Sequence, residues 1–307
     1  MKIVLLDAIT FGNISLECFS QFGEVEIFEK TLPEQTQERI TDADVIVTNK
    51  VVITQEHIEK TPSLKLICVA ATGMNNVDLE GAKAHNVMVK NVAGYSTDSV
   101  VQHTFSLLFY LIGHSRYYDE SVKSERYSKS GIFTDVSHPF FEIKGKKWGI
   151  IGLGTIGREV AKVVTSFGAE VSYFSTSGIK REESYPSISL ERLLKESDII
   201  TIHAPLNEQT ANLLDYDALS SCKEGAVVLN LGRGGIVNEE AVAKLVDEKN
   251  ISFGLDVFEK EPLPLESPLL AVKNKNRLYM TPHIAWTSVE ARERLIASVC
   301  ENIQTTL

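Results

Sequence analysis

This chain of 307 residues is poor in cysteine, in long apolar stretches and in positive charge, and each shortage excludes a class of protein. Its four cysteines, Cys18, Cys68, Cys222 and Cys300, lie far apart and form no Cys-x-x-Cys pair. That spacing argues against a disulfide framework or a zinc site and leaves buried core thiols as the expectation. The longest apolar runs, such as Leu107 to Ile112, cover only a few residues, well short of the ~20 that cross a bilayer. Near the start, Asp7 interrupts Ile3-Val4-Leu5-Leu6 at once, so no signal-peptide core forms and a cytoplasmic location is expected. Acidic residues outnumber basic ones 41 to 31, a net charge of −10 that repels nucleic-acid phosphates and anionic lipid. Neither nucleic acid nor a membrane is therefore an expected partner.

What remains is ordinary globular material, 43% hydrophobic and 23% charged, long enough for about two domains. In the first third, Ile3–Leu6, Val25–Phe28, Val45–Thr48, Leu66–Val69 and Val87–Val89 read as strands separated by amphipathic segments. A long apolar helix follows over Thr97–Gly113, opened by Ser96-Thr97-Asp98, and then a polar helix and loop from Ser115 to Pro139. A second series starts at Lys147, with strands at Trp148–Ile151, Glu170–Phe174, Asp198–His203, Ala226–Leu229 and Tyr279–Pro282, and a last helix spans Ser288–Ile303. Parallel strands need crossovers and helices supply them, so the pattern predicts an α/β protein with two parallel sheets. There is no solenoid repeat and no low-complexity stretch.

The strongest local signal is Gly152-Leu153-Gly154-Thr155-Ile156-Gly157, which follows a strand and opens a helix. Gly152 permits a tight turn, Gly154 lets the backbone approach a pyrophosphate, and Gly157 lets the helix pack on the strand; free amides at the helix start then take phosphate. The next strand should end in an acid that grips a ribose 2′-hydroxyl, but Ser175 stands there, with Thr176 and Ser177 beside it and Lys180 and Arg181 behind. A carboxylate that would repel a 2′-phosphate is missing, so NADP(H) is expected to be tolerated as well as NAD(H). An exposed polar turn, with NAD held elsewhere, fits the same residues equally well.

Three further stretches follow strands, where open α/β sheets bind ligands. They are Asn230 to Gly235, Asp256 to Pro262, and Thr281-Pro282-His283-Ile284-Ala285-Trp286. Arg233, Glu261 and His283 have complementary chemistry: a cation clamps a carboxylate, a histidine exchanges a proton with an oxygen, and a glutamate beside it favours the protonated ring. His203, in Thr201-Ile202-His203-Ala204-Pro205, borders the expected dinucleotide, while His57, His85, His103, His114 and His138 read as surface or structural. No His-Glu-x-x-His pattern or carboxylate cluster points to a metal.

These motifs, with Ala71-Thr72-Gly73-Met74-Asn75-Asn76-Val77-Asp78 and Leu231 to Glu239, closely resemble the D-isomer-specific 2-hydroxyacid dehydrogenase family over nearly the whole chain. Thr48-Asn49-Lys50, Tyr95 to Val100 and His283-Ile284-Ala285-Trp286 look most like its glycerate dehydrogenase, or hydroxypyruvate reductase, branch. The resemblance implies a Rossmann-type doubly wound parallel-sheet domain at 100–283, and a smaller flavodoxin-like α/β substrate domain at 1–99 with 284–307. It makes His283 the proton donor and acceptor, Glu261 its partner and Arg233 the substrate clamp. Lys50, Thr72 and Gly73 would meet the substrate with Arg233 and His283. Thr155, Ile156, Leu231, Gly232, Arg233, Asp256, His283 and Ala285 would lie against the cofactor, together with Gly152, Gly154, Gly157, Ser175, Thr176, His203 and Pro205. The implied reaction is reversible reduction of a short 2-oxo acid, hydroxypyruvate or glyoxylate, and the implied assembly a homodimer. A dinucleotide-sensing regulator of the same fold is the alternative. Formate oxidation ranks below both, because that branch carries Gln where Glu261 stands. Trp286 either narrows the substrate pocket or packs structurally.

Overall fold

A computed structural model describes residues 1–179 and 184–307. The chain forms two compact units, Met1–Ser96 with Thr287–Leu307, and Thr97–Trp286. These junctions fall three residues from those expected at 99/100 and 283/284. The reason is local: Ser99 Oγ donates to the Ala285 carbonyl at 2.6 Å, and Val100 and Ala285 are buried in the core of the second unit.

The first unit is a parallel sheet of β1 (Lys2–Leu5), β2 (Glu24–Ile27), β3 (Val45–Thr48), β4 (Leu66–Val69) and β5 (Met88–Asn91), in the order β2-β1-β3-β4-β5. That is the flavodoxin-like order. The inner strands β3 and β4 are buried at every position, which explains their continuous apolar sequences. The crossovers contain α1 (Thr36–Ile40), α2 (Gln55–Glu59) and α3 (Leu79–Ala84); Thr54 caps α2 and Asp78 caps α3. The connection from β1 to β2 departs from the expected amphipathic helix. It makes only the short 3-10 turns Ala8–Phe11 and Glu17–Phe22, each ended by a glycine, Gly12 and Gly23, in the left-handed half of backbone space. The last helix, α11 (Val289–Thr306), is capped by Ser288 and buries Ala291, Leu295, Ile296, Val299, Cys300 and Ile303 along one face.

That face corrects the reading of the cysteines. Cys18 and Cys300 form a disulfide, with Cα atoms 6.4 Å apart, whereas Cys68 and Cys222 are buried free thiols pushed up to about 12 by burial. Sequence spacing misses the pair because the fold brings residues 282 apart into contact.

In the second unit the parallel order is β11-β10-β9-β8-β6-β7. The strands are β6 (Lys147–Ile151), β7 (Glu170–Phe174), β8 (Ile199–Ile202), β9 (Val227–Asn230), β10 (Ser252–Leu255) and β11 (Leu278–Met280). Helices α4 (Thr97–Ile112) and α7 (Thr155–Ser166) supply one apolar layer, with Leu107, Leu108, Val160 and Val164 against Trp148 and Ile150. Helices α8 (Leu190–Glu196), α9 (Tyr216–Ser220) and α10 (Glu239–Glu248) supply the other, through Leu193, Leu219 and Leu245. The strand order reverses at β6, so the sheet is doubly wound with its switch point between β6 and β8. Helices α5 (Ser115–Lys123) and α6 (Arg126–Ser130) form the polar segment that follows α4. No helix among the described residues is long and apolar enough to cross a membrane.

The Cys18–Cys300 bridge closes almost the entire chain and so restricts its unfolded ensemble. Breaking it, by dithiothreitol or by Cys300→Ser, should lower unfolding free energy by about 2–4 kcal/mol. Identical denaturation midpoints for the oxidised and reduced proteins would refute this.

Candidate active site

The glycine turn leaves β6 at Gly152, whose φ of +89° suits glycine alone. A Cβ at Gly157 would strike the Gly152 carbonyl, whereas one at Gly154 would meet open space. Helix α7 starts at Thr155 without a side-chain cap, so its first amides are available to an anion. Gly152, Leu153, Gly154, Ser175, Thr176, His203 and Pro205 are among the residues that line a cavity of about 200 Å³. Thr155, Ile156 and Gly157 follow directly in the first turn of α7.

His203 is half-buried as a residue, yet both its ring nitrogens are shut from solvent without a hydrogen-bond partner among the described residues. Two unpaired buried polar atoms on a side chain that lines the cavity are costly unless a ligand meets them. Together with the open glycine turn, they make the site fit an adenine dinucleotide. Ser175 closes its own turn by donating to the Ile179 carbonyl at 3.0 Å, with Ser177 Oγ at 3.4 Å. The expected neighbours Lys180 and Arg181 lie outside the described residues.

The other candidates occupy the carboxyl ends of the adjacent strands β9, β10 and β11. His283 Nδ1 and Glu261 Oε2 are 2.7 Å apart, and the other Glu261 oxygen accepts from the Phe258 amide at 3.1 Å. The glutamate is thus fixed at both oxygens and holds one edge of the imidazole. Among the described residues, no hydrogen bond engages Nε2, the opposite edge. Arg233 caps β9, with its Nη1 donating to the Gly232 carbonyl at 2.9 Å. No carboxylate among the described residues pairs with that exposed guanidinium, so it can receive an anionic ligand. The loop carrying Arg233 lies on the loop carrying Glu261: a Cβ at Gly234 would overlap the Phe258 carbonyl and come within 2.6 Å of the Glu259 amide nitrogen. Asn230 stiffens this loop from beneath, donating to the Arg233 carbonyl at 2.9 Å and accepting from the Gly232 amide at 3.1 Å.

His283 has a φ of +54°, a left-handed conformation unusual for a residue with a side chain. Its amide donates to the Asp256 carbonyl at 2.8 Å. Asp256, which the family resemblance sets against the cofactor, is only 1% exposed. Its carboxylate accepts from the Thr281 hydroxyl at 2.6 Å and from the Ile284 and Ala285 amides at 2.9 Å each. Sequence reading missed this anchoring role, since nothing in the spacing shows where a carboxylate finds its donors.

In the first unit, Lys50 and Thr72-Gly73 follow the carboxyl ends of the neighbouring strands β3 and β4. The Lys50 amide donates to buried Asp7 at 2.6 Å, as do the Asn49 and Val51 amides at 2.9 and 3.3 Å, so Asp7 shapes this turn. Burial drives the Asp7 carboxyl upward from its ordinary value and the amides partly oppose it. The Thr72 hydroxyl donates to the Val92 carbonyl at 3.2 Å. Among the described residues, no group of three or more His, Cys, Asp or Glu could hold a metal ion.

Burial lowers the His203 ring from its ordinary 6.5 to about 3. The unfolded chain takes up a proton below pH 6.5 that the native chain refuses until about pH 3, so this residue's contribution to stability is lost as pH falls through that window. His203→Asn should flatten the decline in denaturant midpoint between pH 7 and pH 4.5. An unchanged slope would show that the ring is not held neutral.

Comparisons with known proteins identify the family. Residues 105–285 match the family described as D-isomer specific 2-hydroxyacid dehydrogenase, NAD binding domain. Hydroxypyruvate reductase of Blautia hydrogenotrophica is 32% identical over 312 residues, covering 99% of this chain and 96% of that protein. Glycerate dehydrogenase of Methylorubrum extorquens is 33% identical over 308 residues, with coverages of 99% and 95%. D-Lactate dehydrogenase of Aquifex aeolicus, solved with NAD and lactic acid, has a TM-score of 0.85 at 25% identity, covering 99% of this chain and 95% of that one. The chain therefore belongs to the D-isomer-specific 2-hydroxyacid dehydrogenases, oxidoreductases that use a nicotinamide dinucleotide.

Proposed function

We propose that this protein reversibly reduces a short 2-oxo acid, hydroxypyruvate or glyoxylate, to the D-2-hydroxy acid, and accepts NADPH as well as NADH. The observation that carries the reading is the 2.7 Å contact of His283 Nδ1 with Glu261, which presents Nε2 as the edge that exchanges a proton. The named activities of the hydroxypyruvate reductase and glycerate dehydrogenase relatives support the choice of substrate. For the cofactor, Ser175 supplies no carboxylate against a 2′-phosphate.

When bound, the reduced dinucleotide supplies the hydride that C2 accepts. His283 delivers its Nε2 proton to the oxygen that becomes the alcohol, and Glu261 keeps the ring aimed. Arg233 offsets the negative charge that grows on that oxygen and orients the acid group by a forked pair of hydrogen bonds. Lys50, Thr72 and Gly73 are the first-unit residues proposed to meet the substrate. Gly152, Gly154, Thr155, Ile156 and Gly157 are assigned to the pyrophosphate, with Ser175, Thr176, His203 and Pro205 at the adenosine. Leu231, Gly232, Asp256 and Ala285 complete the proposed cofactor surface. The proposed location is the cytoplasm, where such a cofactor pool is found.

We also propose a homodimer. Past α6, Ile132, Phe133, Val136 and Phe140 are 62%, 90%, 80% and 68% exposed, an apolar surface that a second copy of the chain would cover. Light scattering should return the mass of two chains, and Phe133→Asp with Phe140→Asp should halve it. A parental protein with the mass of one chain would end this proposal.

The enzymatic reading is tested by the loss of reduced-cofactor absorbance with hydroxypyruvate and glyoxylate, using NADH and NADPH in turn. His283→Ala or Arg233→Ala should cut turnover by at least ~10²-fold. Near-parental turnover in either variant would overturn the assignment; no consumption with any 2-oxo acid would favour a dinucleotide sensor.

A further inference from the structure

Behind His283 runs a set of polar contacts that the reaction as described leaves unused. Helix α4 presents Ser99 and His103 one turn apart, on one face, to the segment Thr281–Ala285. Ser99 Oγ donates to the Ala285 carbonyl at 2.6 Å, and His103 Nε2 lies 3.0 Å from Thr281 Oγ1. Thr281 has a single hydroxyl hydrogen, and Asp256 Oδ1, 2.6 Å away, receives it. The Thr281 oxygen must therefore accept from His103, which places a hydrogen on His103 Nε2. The same nitrogen is 3.5 Å from Asp256 Oδ1. From its other sides the carboxylate takes the Ile284 and Ala285 amides, and the Asp256 carbonyl takes the His283 amide.

The segment so held is the one in which His283 sits at a φ of +54°. A residue with a Cβ occupies that region at a cost in strain and stays there only when its surroundings enforce it. Asp256 enforces it directly. His103 in turn occupies the Thr281 oxygen, so that the threonine's one hydrogen is committed to Asp256. Without a donor at position 103, the hydroxyl is free to turn to another acceptor, and the carboxylate that orders residues 284 and 285 loses its shortest contact. The proton-exchanging edge of His283 then loses its fixed aim.

We propose that His103, acting through Thr281 and Asp256 and assisted by Ser99, is a positioning residue for His283. The inference rests on the reading of His283 as the proton donor, and it concerns turnover rather than the clamping of the substrate's acid group. Its substitution should act on kcat because misaiming a reacting group by about 1 Å can cost up to ~10²-fold in rate without weakening ground-state binding.

The test compares His103→Leu, His103→Gln and Thr281→Val in steady-state reduction of hydroxypyruvate. His103→Leu should lower kcat by about 10-fold or more and change the KM for hydroxypyruvate, whose acid group is assigned to Arg233, by less than about twofold. His103→Gln, whose side-chain amide reaches the position of Nε2 with an N–H, should retain most of the parental kcat. Thr281→Val should match His103→Leu, and the double variant should be no worse than either, since all break one chain of contacts. Parental kcat in His103→Leu, glutamine no better than leucine, or additive losses would overturn the proposal. Where His103→Leu does not fold, Thr281→Val against Thr281→Ser probes the same link, with valine expected to lose kcat and serine to keep it. Should the parent reduce no 2-oxo acid, the functional reading fails on its own, and amide hydrogen exchange decides the positioning claim. Ile284 and Ala285 should then exchange about 10-fold faster in Thr281→Val than in the parent or in His103→Gln; equal rates in all three would overturn it.

Discussion

In a sheet whose strands all run one way, every strand delivers its carboxyl end to the same edge. That constraint governs each unit of this protein. In the second unit it sets Asn230, Asp256 and Thr281 side by side, because β9, β10 and β11 are neighbours in the sheet. Residues scattered over fifty positions of sequence thereby share a few ångströms of surface, and the loops that leave those ends inherit the proximity. The contact of the Gly234 backbone with Phe258 and Glu259 is its direct product, and so is the His283–Glu261 pair.

Proximity alone does not make a reactive histidine; orientation does. Glu261 is held by the Phe258 amide before it holds His283, and Asp256 is saturated by a hydroxyl and two amides. Groups whose donors and acceptors are already committed have little freedom to reorganise when charge moves, which is the source of electrostatic preorganisation. The strained backbone at His283 belongs to the same arrangement, since its cost is met by bonds formed around it rather than at it. At the dinucleotide end the logic is opposite. There the unpaired His203 nitrogens and the uncapped start of α7 are polar groups left for a ligand to complete.

Much of this was legible in the residues. Buried parallel strands carry unbroken apolar runs, so β3, β4, β8 and β9 could be located closely, and the glycine turn announced itself by its order with strand and helix. The Arg233, Glu261 and His283 motifs were visible as residue types after strands, and the family resemblance gave them roles. What periodicity could not show were features decided by tertiary contact. The β1–β2 connection reads as amphipathic but is broken by Gly12 and Gly23 into short turns. The Cys18–Cys300 pairing needs α11 to return to the first sheet. His103 looked like one more structural histidine, because its partner Thr281 lies 178 residues away. The reading of Lys180 and Arg181 beside a 2′-phosphate falls outside the described residues.

The central claim is a hydride transfer to C2 assisted by His283, and isotopic labelling addresses it most directly. Reduced cofactor carrying deuterium at the transferable C4 position would be incubated with hydroxypyruvate, and the product examined by NMR and chiral chromatography. The account predicts deuterium at C2 of the D-2-hydroxy acid, formed by the parent and nearly abolished by His283→Ala. Deuterium that stays in the cofactor, or a product of the opposite hand, would contradict it.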